Sequence, residues 1–387
     1  MRRIGVVTVG RSDYGLYRQI LQKIRKDPEL HLHLLVSGSH LSPEFGLTVN
    51  AIEADGFEVG DRIEMLISSD TPEAIVKSMG LGTIGFAQSY ARFRPDILIV
   101  LGDRFEMHAA VVAALPFKIP VAHIHGGEIT EGAIDDALRH SITKLSHLHF
   151  VANKEYSRRV SQMGEEPWRV IVSGSPGLDN IRHTKLLTHT ELEERVGVGL
   201  DRPPLLVTYH PVSLEYEEAE RQVRELLLAL SNFDLPMVFT MANADTNGRV
   251  VTRLMMDFVR GNPHARFFAN LGSQAYFSLM SVAAAMVGNS SSGIIEAPSF
   301  ELPVVNIGSR QRGRIRAKNV VDVGYGHDEI SSGIEKAVSP EFRTCLRGME
   351  NPYGNGDAAS IVIGRLKEIV LDNRLLVKTF LDVSIPR

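Results

Sequence analysis

The chain of 387 residues contains a single cysteine, Cys345. No intrachain disulfide can form, which excludes a disulfide-framed secreted scaffold and fits a reducing compartment. No apolar run approaches the roughly 18–20 residues of a membrane span. The N-terminal stretch Met-Arg-Arg-Ile-Gly-Val-Val-Thr-Val carries two basic residues. The apolar run behind them is too short for a signal-peptide core and ends at Gly10-Arg11-Ser12-Asp13. Neither sign of charge prevails: 42 Lys and Arg against 46 Asp and Glu leave a net charge of -4. The charges are interspersed, with no basic stripe to follow a nucleic-acid backbone. Internal repeats and low-complexity tracts are absent too. What remains is a cytoplasmic enzyme or binding protein, with neither nucleic acid nor membrane as partner.

What is present is a repeating pattern of short apolar run, turn and amphipathic helix. Hydrophobic residues make up 44% and charged residues 23% of the chain, as in globular proteins, and the length suits two domains of about 150–200 residues. Strand candidates in the first half are Ile4–Val9, Leu32–Val36, Ile97–Leu101, Val121–His125, Leu148–Ala152 and Val170–Val172. The run Ile97-Leu-Ile-Val-Leu101 is apolar throughout, as expected of a strand covered on both faces of a parallel sheet. After Ser173-Gly-Ser-Pro-Gly177, a candidate linker, the pattern restarts. Its strands are Leu205–Tyr209, Met237–Met241, Ala265–Phe268, Ala285–Val287, Pro303–Ile307 and Val320–Val323. The alternation predicts an α/β fold of two Rossmann-like, doubly wound domains with the ligand site in the cleft between them. The expected domains are 1–174, carrying most catalytic residues, and 175–365. A tail, 366–387, is expected to pack back on the first domain.

Polar residues gather where strands end. Gly10-Arg-Ser-Asp-Tyr-Gly15 follows the first strand and opens a helix. It reads either as an anion site built on free N–H groups and Arg11 or as a plain turn capped by Asp13. It is neither G-x-G-x-x-G nor a P-loop, so no dinucleotide cofactor is expected. Gly102-Asp-Arg-Phe-Glu106 follows the most apolar strand, where ligands bind, and that position favours a site over the alternative that Asp103 caps the next helix. In His123-Ile-His-Gly-Gly-Glu128, His123 and His125 alternate on one strand face. Further histidines lie on other elements, so a metal site is not expected. The helix Ile134–Leu145 places Ile134, Leu138, Ile142 and Leu145 on a buried stripe, with Asp135, Asp136, Arg139 and Lys144 off it. Taken alone, an Asp135–Arg139 ion pair and a dipole-matched first turn make that helix an ordinary solvated one. In the second half, His210, Asn243 and Asp245 follow strands. Gly288-Asn-Ser-Ser-Ser-Gly-Ile-Ile-Glu296 offers a phosphate cradle, and Arg310 lies beyond the next strand.

Together these residues resemble the hydrolysing UDP-N-acetylglucosamine 2-epimerases of sialic-acid biosynthesis (the NeuC type), over essentially the whole chain. The motifs that carry the likeness are Gly102-Asp-Arg-Phe-Glu106, Gly126-Gly-Glu with Ile134-Asp-Asp-Ala-Leu-Arg-His-Ser-Ile-Thr-Lys144, and Gly288-Asn-Ser-Ser-Ser-Gly293. The resemblance implies a glycosyltransferase-B-like fold with UDP held mainly by the second domain, no cofactor, and a homodimer or homotetramer. It implies loss of UDP from C1 and a proton from C2 to give a glycal, then addition of water to release the 2-epimer, N-acetylmannosamine for the simplest substrate. It assigns the proton chemistry to Asp103, Asp135 and Asp136, charge stabilisation to Arg139 and diphosphate contact to His210. It assigns substrate and nucleotide contacts to Arg11, Arg104, Asn243, Asp245, Tyr276, Ser290, Ser291, Gly293, Glu296 and Arg310. Many relatives carry a glutamate where this chain has His125, and histidine variants are similar to members acting on 2,4-diacetamido-trideoxy sugars for legionaminic acid. The acid–base role at that strand tip is therefore open between His125 and Glu128. The other classes compatible with the residues are a glycosyltransferase of the same fold and a catalytically silent nucleotide-sugar binding protein.

Overall fold

Seven short segments of the first half pair side by side as parallel strands: β1 (Arg2–Thr8), β2 (Leu30–Ser37), β3 (Val59–Ile63), β4 (Ile97–Leu101), β5 (Val121–Ile124), β6 (Leu148–Val151) and β7 (Val170–Val172). Their order is β3-β2-β1-β4-β5-β6-β7. The computed structural model describes residues 1–69, 71–130, 134–212, 216–241 and 248–382. The chain winds outward from β1 to β3, then returns to lay β4 on the other side of β1. That reversal makes the carboxyl ends of β1 and β4 a crevice. All five residues of β4 are buried, because helices cover both faces of such a sheet.

Six strands of the second half form another parallel sheet: β8 (Leu205–Thr208), β9 (Met237–Thr240), β10 (Ala265–Phe268), β11 (Ala285–Gly288), β12 (Val304–Ile307) and β13 (Val320–Val323). Their order, β10-β9-β8-β11-β12-β13, repeats the same winding with a reversal between β8 and β11. Gly288, ending β11, has φ of 139°, and a Cβ there would run into the Thr208 carbonyl oxygen of β8. Only glycine lets the two switch-point strands close at that level.

The division into units departs from the expected boundaries. One unit is Met1–Asn180 with Tyr353–Arg387, and the other is Ile181–Pro352. Ser173-Gly-Ser-Pro-Gly177 is not a linker. Ser173, Ser175, Pro176 and Gly177 are buried and a helix starts at Pro176. The small residues serve close approach: the Ser175 N–H donates to the Tyr353 carbonyl at 2.7 Å, and at Gly174, with φ of 83°, a Cβ would crowd that carbonyl at 3.1 Å. The chain re-enters the first unit at Tyr353, earlier than the expected 366, because helix Ala358–Glu368 adds Ala359, Val362, Ile363 and Leu366 to the first unit's core. No helix among the described residues is long and apolar enough to cross a membrane.

The re-entry is fixed by Asp179. Only 1% exposed, it accepts from the Ala358 N–H at 2.9 Å and the Ala359 N–H at 2.6 Å, the first donors of the returning helix. A carboxylate there satisfies orphan donors and matches the positive end of the helix dipole. Asp179→Ala leaves both donors buried and unpaired, so it is expected to lower unfolding free energy by about 3 kcal/mol, read as a lower urea midpoint. An unchanged midpoint would show that the cap contributes nothing.

Candidate active site

The carboxyl ends of β4 and β5 and the helix Ile134–Leu145 converge on one guanidinium. Arg139 is 5% exposed. It pairs with Asp103 beyond β4, lies 3.4 Å from Glu128 Oε2, and donates to the His125 carbonyl at 3.3 Å and to Thr130 Oγ1 at 3.1 Å. The buried residues of that helix are Arg139, Ile142 and Thr143, while Ile134 is 71% exposed. The expected stripe is thus turned: Arg139 faces inward and forms no ion pair with Asp135. Two carboxylate partners, Glu128 buried and Asp103 half-buried, outweigh what a solvated i,i+4 pair would offer.

His125 does not continue the strand. β5 ends at Ile124, and His125 takes φ of 66°, in the left-handed region that a non-glycine residue occupies only under constraint. Its N–H donates to the Phe150 carbonyl of β6 at 3.0 Å. Its Nδ1 donates to Glu128, and among the described residues its buried Nε2 has no hydrogen-bond partner. His123 and His125 therefore do not share a face. His123 is fully buried; its Nε2 donates to the Gly102 carbonyl at 2.8 Å and its Nδ1 lies 3.2 Å from Thr143 Oγ1. Burial pushes it down to about 3, which makes it a neutral strut.

The two aspartates of the helix differ. Asp136 accepts from the Thr130 N–H at 2.8 Å and lies 3.4 Å from His140, so its carboxylate is engaged in local contacts. Burial, with the Asp103 carboxylate next, raises the Asp135 carboxyl. Asp103 is held by Arg139 instead, and does not cap the following helix, whose cap residue is Arg104. Arg104 donates at 3.2 and 3.1 Å to Glu106, a fully buried carboxylate. Asp13, expected as a cap, instead accepts from Thr8 Oγ1 at 2.6 Å and the Val9 N–H at 3.0 Å. Behind them His40, fully buried, donates to Thr8 Oγ1 at 3.0 Å and accepts from Thr48 Oγ1 at 2.7 Å. Burial drives its charged form out, to about 4. Arg11 is exposed at the start of its helix.

In the second unit, Asn289 ties the β8 and β11 ends. Its Oδ1 accepts from the His210 N–H at 2.7 Å and its Nδ2 donates to the His210 carbonyl at 2.8 Å. Its own carbonyl accepts from Arg310 at 3.2 Å and Gln311 at 2.8 Å. Burial, with Arg310 adding to it, pushes His210 down to about 3. Tyr276 interacts with Ser290, Ser292 and Thr208, and burial, with Glu296 nearby, pushes its phenol up to about 12. Thus His210, Tyr276, Ser290, Glu296 and Arg310 do gather at these strand ends, with Ser291 beside Ser290. Gly293 does something else: a Cβ there would press on Val304 of β12, so it is a packing glycine. The serine run opens a helix of only four residues, Ser292–Ile295. Asn243 and Asp245 lie outside the described residues.

The sequence pattern of the UDP-N-acetylglucosamine 2-epimerase family matches residues 22–367. The chain belongs to that family. It is 40% identical over 385 residues, 99% of each chain, to a GDP/UDP-N,N'-diacetylbacillosamine 2-epimerase (hydrolyzing) of Campylobacter jejuni. It is 36% identical, over 98% of this chain and 99% of the other, to a UDP-N,N'-diacetylbacillosamine 2-epimerase (hydrolyzing) of Legionella pneumophila. It is 34% identical, over 99% and 98%, to polysialic acid biosynthesis protein P7 of Escherichia coli. Among solved structures, UDP-GlcNAc 2-epimerase from Neisseria meningitidis, bound to UDP-GlcNAc, has a TM-score of 0.82 at 19% identity, covering 95% of this chain and 100% of that one. The fold is the glycosyltransferase-B-like one of these epimerases, two parallel-sheet α/β domains of seven and six strands.

Five residues that build these strand-end clusters stand outside those expected from sequence: Thr8, His40, Glu106, Thr130 and Gln311. Glu106 lies within Gly102-Asp-Arg-Phe-Glu106, and its two-residue spacing from Arg104 is the signal that points to their pairing. Among the described residues, no cluster of three or more His, Cys, Asp or Glu is disposed to hold a metal ion.

Asp13 generates a pH prediction. Burial raises its carboxyl from 3.8 to about 6, against Thr8 and Val9. A carboxyl raised in the folded state is most stabilising when protonated. That contribution is full below about 4 and is lost as pH rises through about 6, worth about 3 kcal/mol in all. The stability of Asp13→Asn relative to the parent is therefore expected to increase by up to that amount between pH 4 and 7, followed by urea unfolding. Parallel pH profiles would overturn the assignment.

Proposed function

We propose that this epimerase is a hydrolysing UDP-sugar 2-epimerase whose substrate is a UDP-2,4-diacetamido-2,4,6-trideoxy sugar, N,N'-diacetylbacillosamine. The substrate choice rests on relatives 40% and 36% identical over nearly their whole lengths that are named for it. UDP-N-acetylglucosamine, yielding N-acetylmannosamine for sialic acid, is the second substrate to test, favoured by the 34% identical polysialic acid protein.

The observation that carries the chemical reading is the pair of unlike carboxyls beside one guanidinium. Asp103 is paired with Arg139, while burial, with Asp103 next, raises the Asp135 carboxyl above its ordinary value, the direction a general base needs. The reaction breaks C2–H and C1–O, forms the C1=C2 bond of a glycal, and releases UDP. Water then gives its oxygen to C1, and a proton returns to C2 on the opposite face. Two proton-transfer groups are needed. Asp135 is one. His125, held by Glu128 at Nδ1 with Nε2 left over, is the other. Arg139 steadies the charge that develops as UDP leaves. In the second unit, Arg310, Ser290, Ser291 and a neutral His210 hold the diphosphate, with Tyr276 and Glu296 beside the nucleoside.

The test is incubation with each UDP-sugar in deuterated water. The expected outcome is free UDP together with a free manno-configured sugar carrying deuterium at C2. UDP release only on adding an acceptor sugar would favour a glycosyltransferase and sink the reading. UDP binding without turnover of either sugar would favour a silent binding protein. Asp135→Asn is expected to slow UDP release by about 100-fold or more, on the scale of acid–base groups. Asp136→Asn should slow it far less and act mainly on stability. His125→Asn, which tolerates the left-handed backbone, should match Asp135→Asn in deuterium incorporation lost. Full activity of Asp135→Asn would remove that residue from the proton transfer.

A further inference from the structure

The helix Ile134–Leu145 carries both Asp135 and Arg139, yet its far end is held by residues remote in sequence. Lys378 Nζ donates to the Lys144 carbonyl at 2.7 Å and to the Ser146 carbonyl at 2.6 Å. Those carbonyls belong to the last turn of the helix and the residue just past it, where acceptors have no intrahelical donors and a cation matches the dipole. The same ammonium lies 2.8 Å from Glu165 Oε2, and Lys144 Nζ lies 2.6 Å from Glu165 Oε1. Glu165 is fully buried and also accepts from His149 at 3.0 Å. Burial works against its charge, but His149, Lys144 and Lys378 together hold it down at about 2.

The strand of chain that delivers Lys378 is itself fastened. Arg169, fully buried, donates to the carbonyls of Arg374 at 2.8 Å, Leu375 at 2.8 Å and Val377 at 3.0 Å. The Leu381 N–H donates to the Gly164 carbonyl at 2.9 Å, and the Phe380 ring lies 4.9 Å from Lys144 Nζ. Neither Lys378 nor Glu165 belongs to the strand tips where the chemistry is placed. A buried carboxylate bridging two lysines is costly to assemble, and simple surface anchoring of a tail does not require one.

We propose that residues 374–381 form a clasp that fixes the Asp135–Arg139 helix, and that Lys378 is a positioning residue for the epimerase reaction. Lys378 never reaches the substrate. It sets where the helix lies along its axis, and so where the Arg139 guanidinium meets Asp103 and Glu128. This rests on the hydrolysing 2-epimerase reading, and a misplacement of a few tenths of an ångström at Arg139 is expected to appear in turnover rather than in binding.

The experiment compares Lys378→Met, Lys378→Arg and the parent chain. Turnover of the UDP-sugar is normalised to the fraction of protein that binds UDP. Hydrogen exchange of the helix amides is followed without substrate. Lys378→Met is expected to lower kcat by about 10-fold, with KM within about 2-fold and UDP affinity unchanged. Its helix amides should exchange at least about 10-fold faster. Lys378→Arg, which can still donate to both carbonyls and to Glu165, should restore kcat to within about 3-fold. Unchanged kcat in Lys378→Met, with or without faster exchange, overturns the positioning role. Lower kcat with unchanged helix exchange overturns the clasp. If Lys378→Met does not fold, Phe380→Ala, which loosens the same segment at an exposed ring, must show faster helix exchange or the clasp is wrong. If the parent chain turns over no UDP-sugar, the functional reading fails, and the exchange comparison still decides the clasp.

Discussion

The first unit is organised by one buried cation. Arg139 cannot leave water without carboxylate partners, and Asp103 and Glu128 supply them from the ends of two neighbouring strands. Each partner is drawn out of regular structure to do so. Gly102 turns with φ of 77° to bring Asp103 round, and His125 takes a left-handed backbone before Glu128 folds back. Removing one member of such a group strands the others, at a cost of about 3–5 kcal/mol in comparable buried networks. Strand tips, turn conformations and the helix register are therefore one decision and not three. The strain at His125 is maintained by the surrounding structure, as is common where a side chain must be aimed.

Within each unit, burial sorts the ionisable groups. His40, His123 and His210 are driven neutral by desolvation and serve as fixed hydrogen-bonding struts. Asp13 and Asp135 are driven the other way, toward holding a proton. Glu165 is the exception, since three cationic or hydrogen-bonding neighbours override its burial. The same desolvation thus produces silent histidines and proton-ready carboxyls, and which one results depends on the partners each group finds.

Much of this was legible in the sequence. The all-apolar β4 announced a doubly covered parallel sheet, and of the charged residues just beyond it Asp103 pairs with Arg139. β3 was missed because Val59-Gly-Asp-Arg-Ile63 is an edge strand, polar and glycine-containing, with only Ile63 buried. Helical periodicity misplaced Arg139, since a wheel of apolar positions cannot foresee that two acids from other elements will draw an arginine inward. His125 looked like a strand residue because alternation says nothing about where a strand stops. The Ser173–Gly177 segment looked like a linker because small residues mark both mobile joints and tight backbone contacts. The pairing of Ser175 with Tyr353 depends on a crossing of the chain that no local pattern records.

That crossing also sets an order of events during synthesis. The second unit, Ile181–Pro352, is continuous and leaves the ribosome whole. The first cannot close its core until Ala359, Val362 and Leu366 arrive behind it. Vectorial folding usually favours the amino-terminal domain. Here the amino-terminal sheet must wait, with the surface meant for the returning helix uncovered, while the later domain finishes first. The apolar surface meant for the returning helix therefore stays open for a time fixed by the length of the insert.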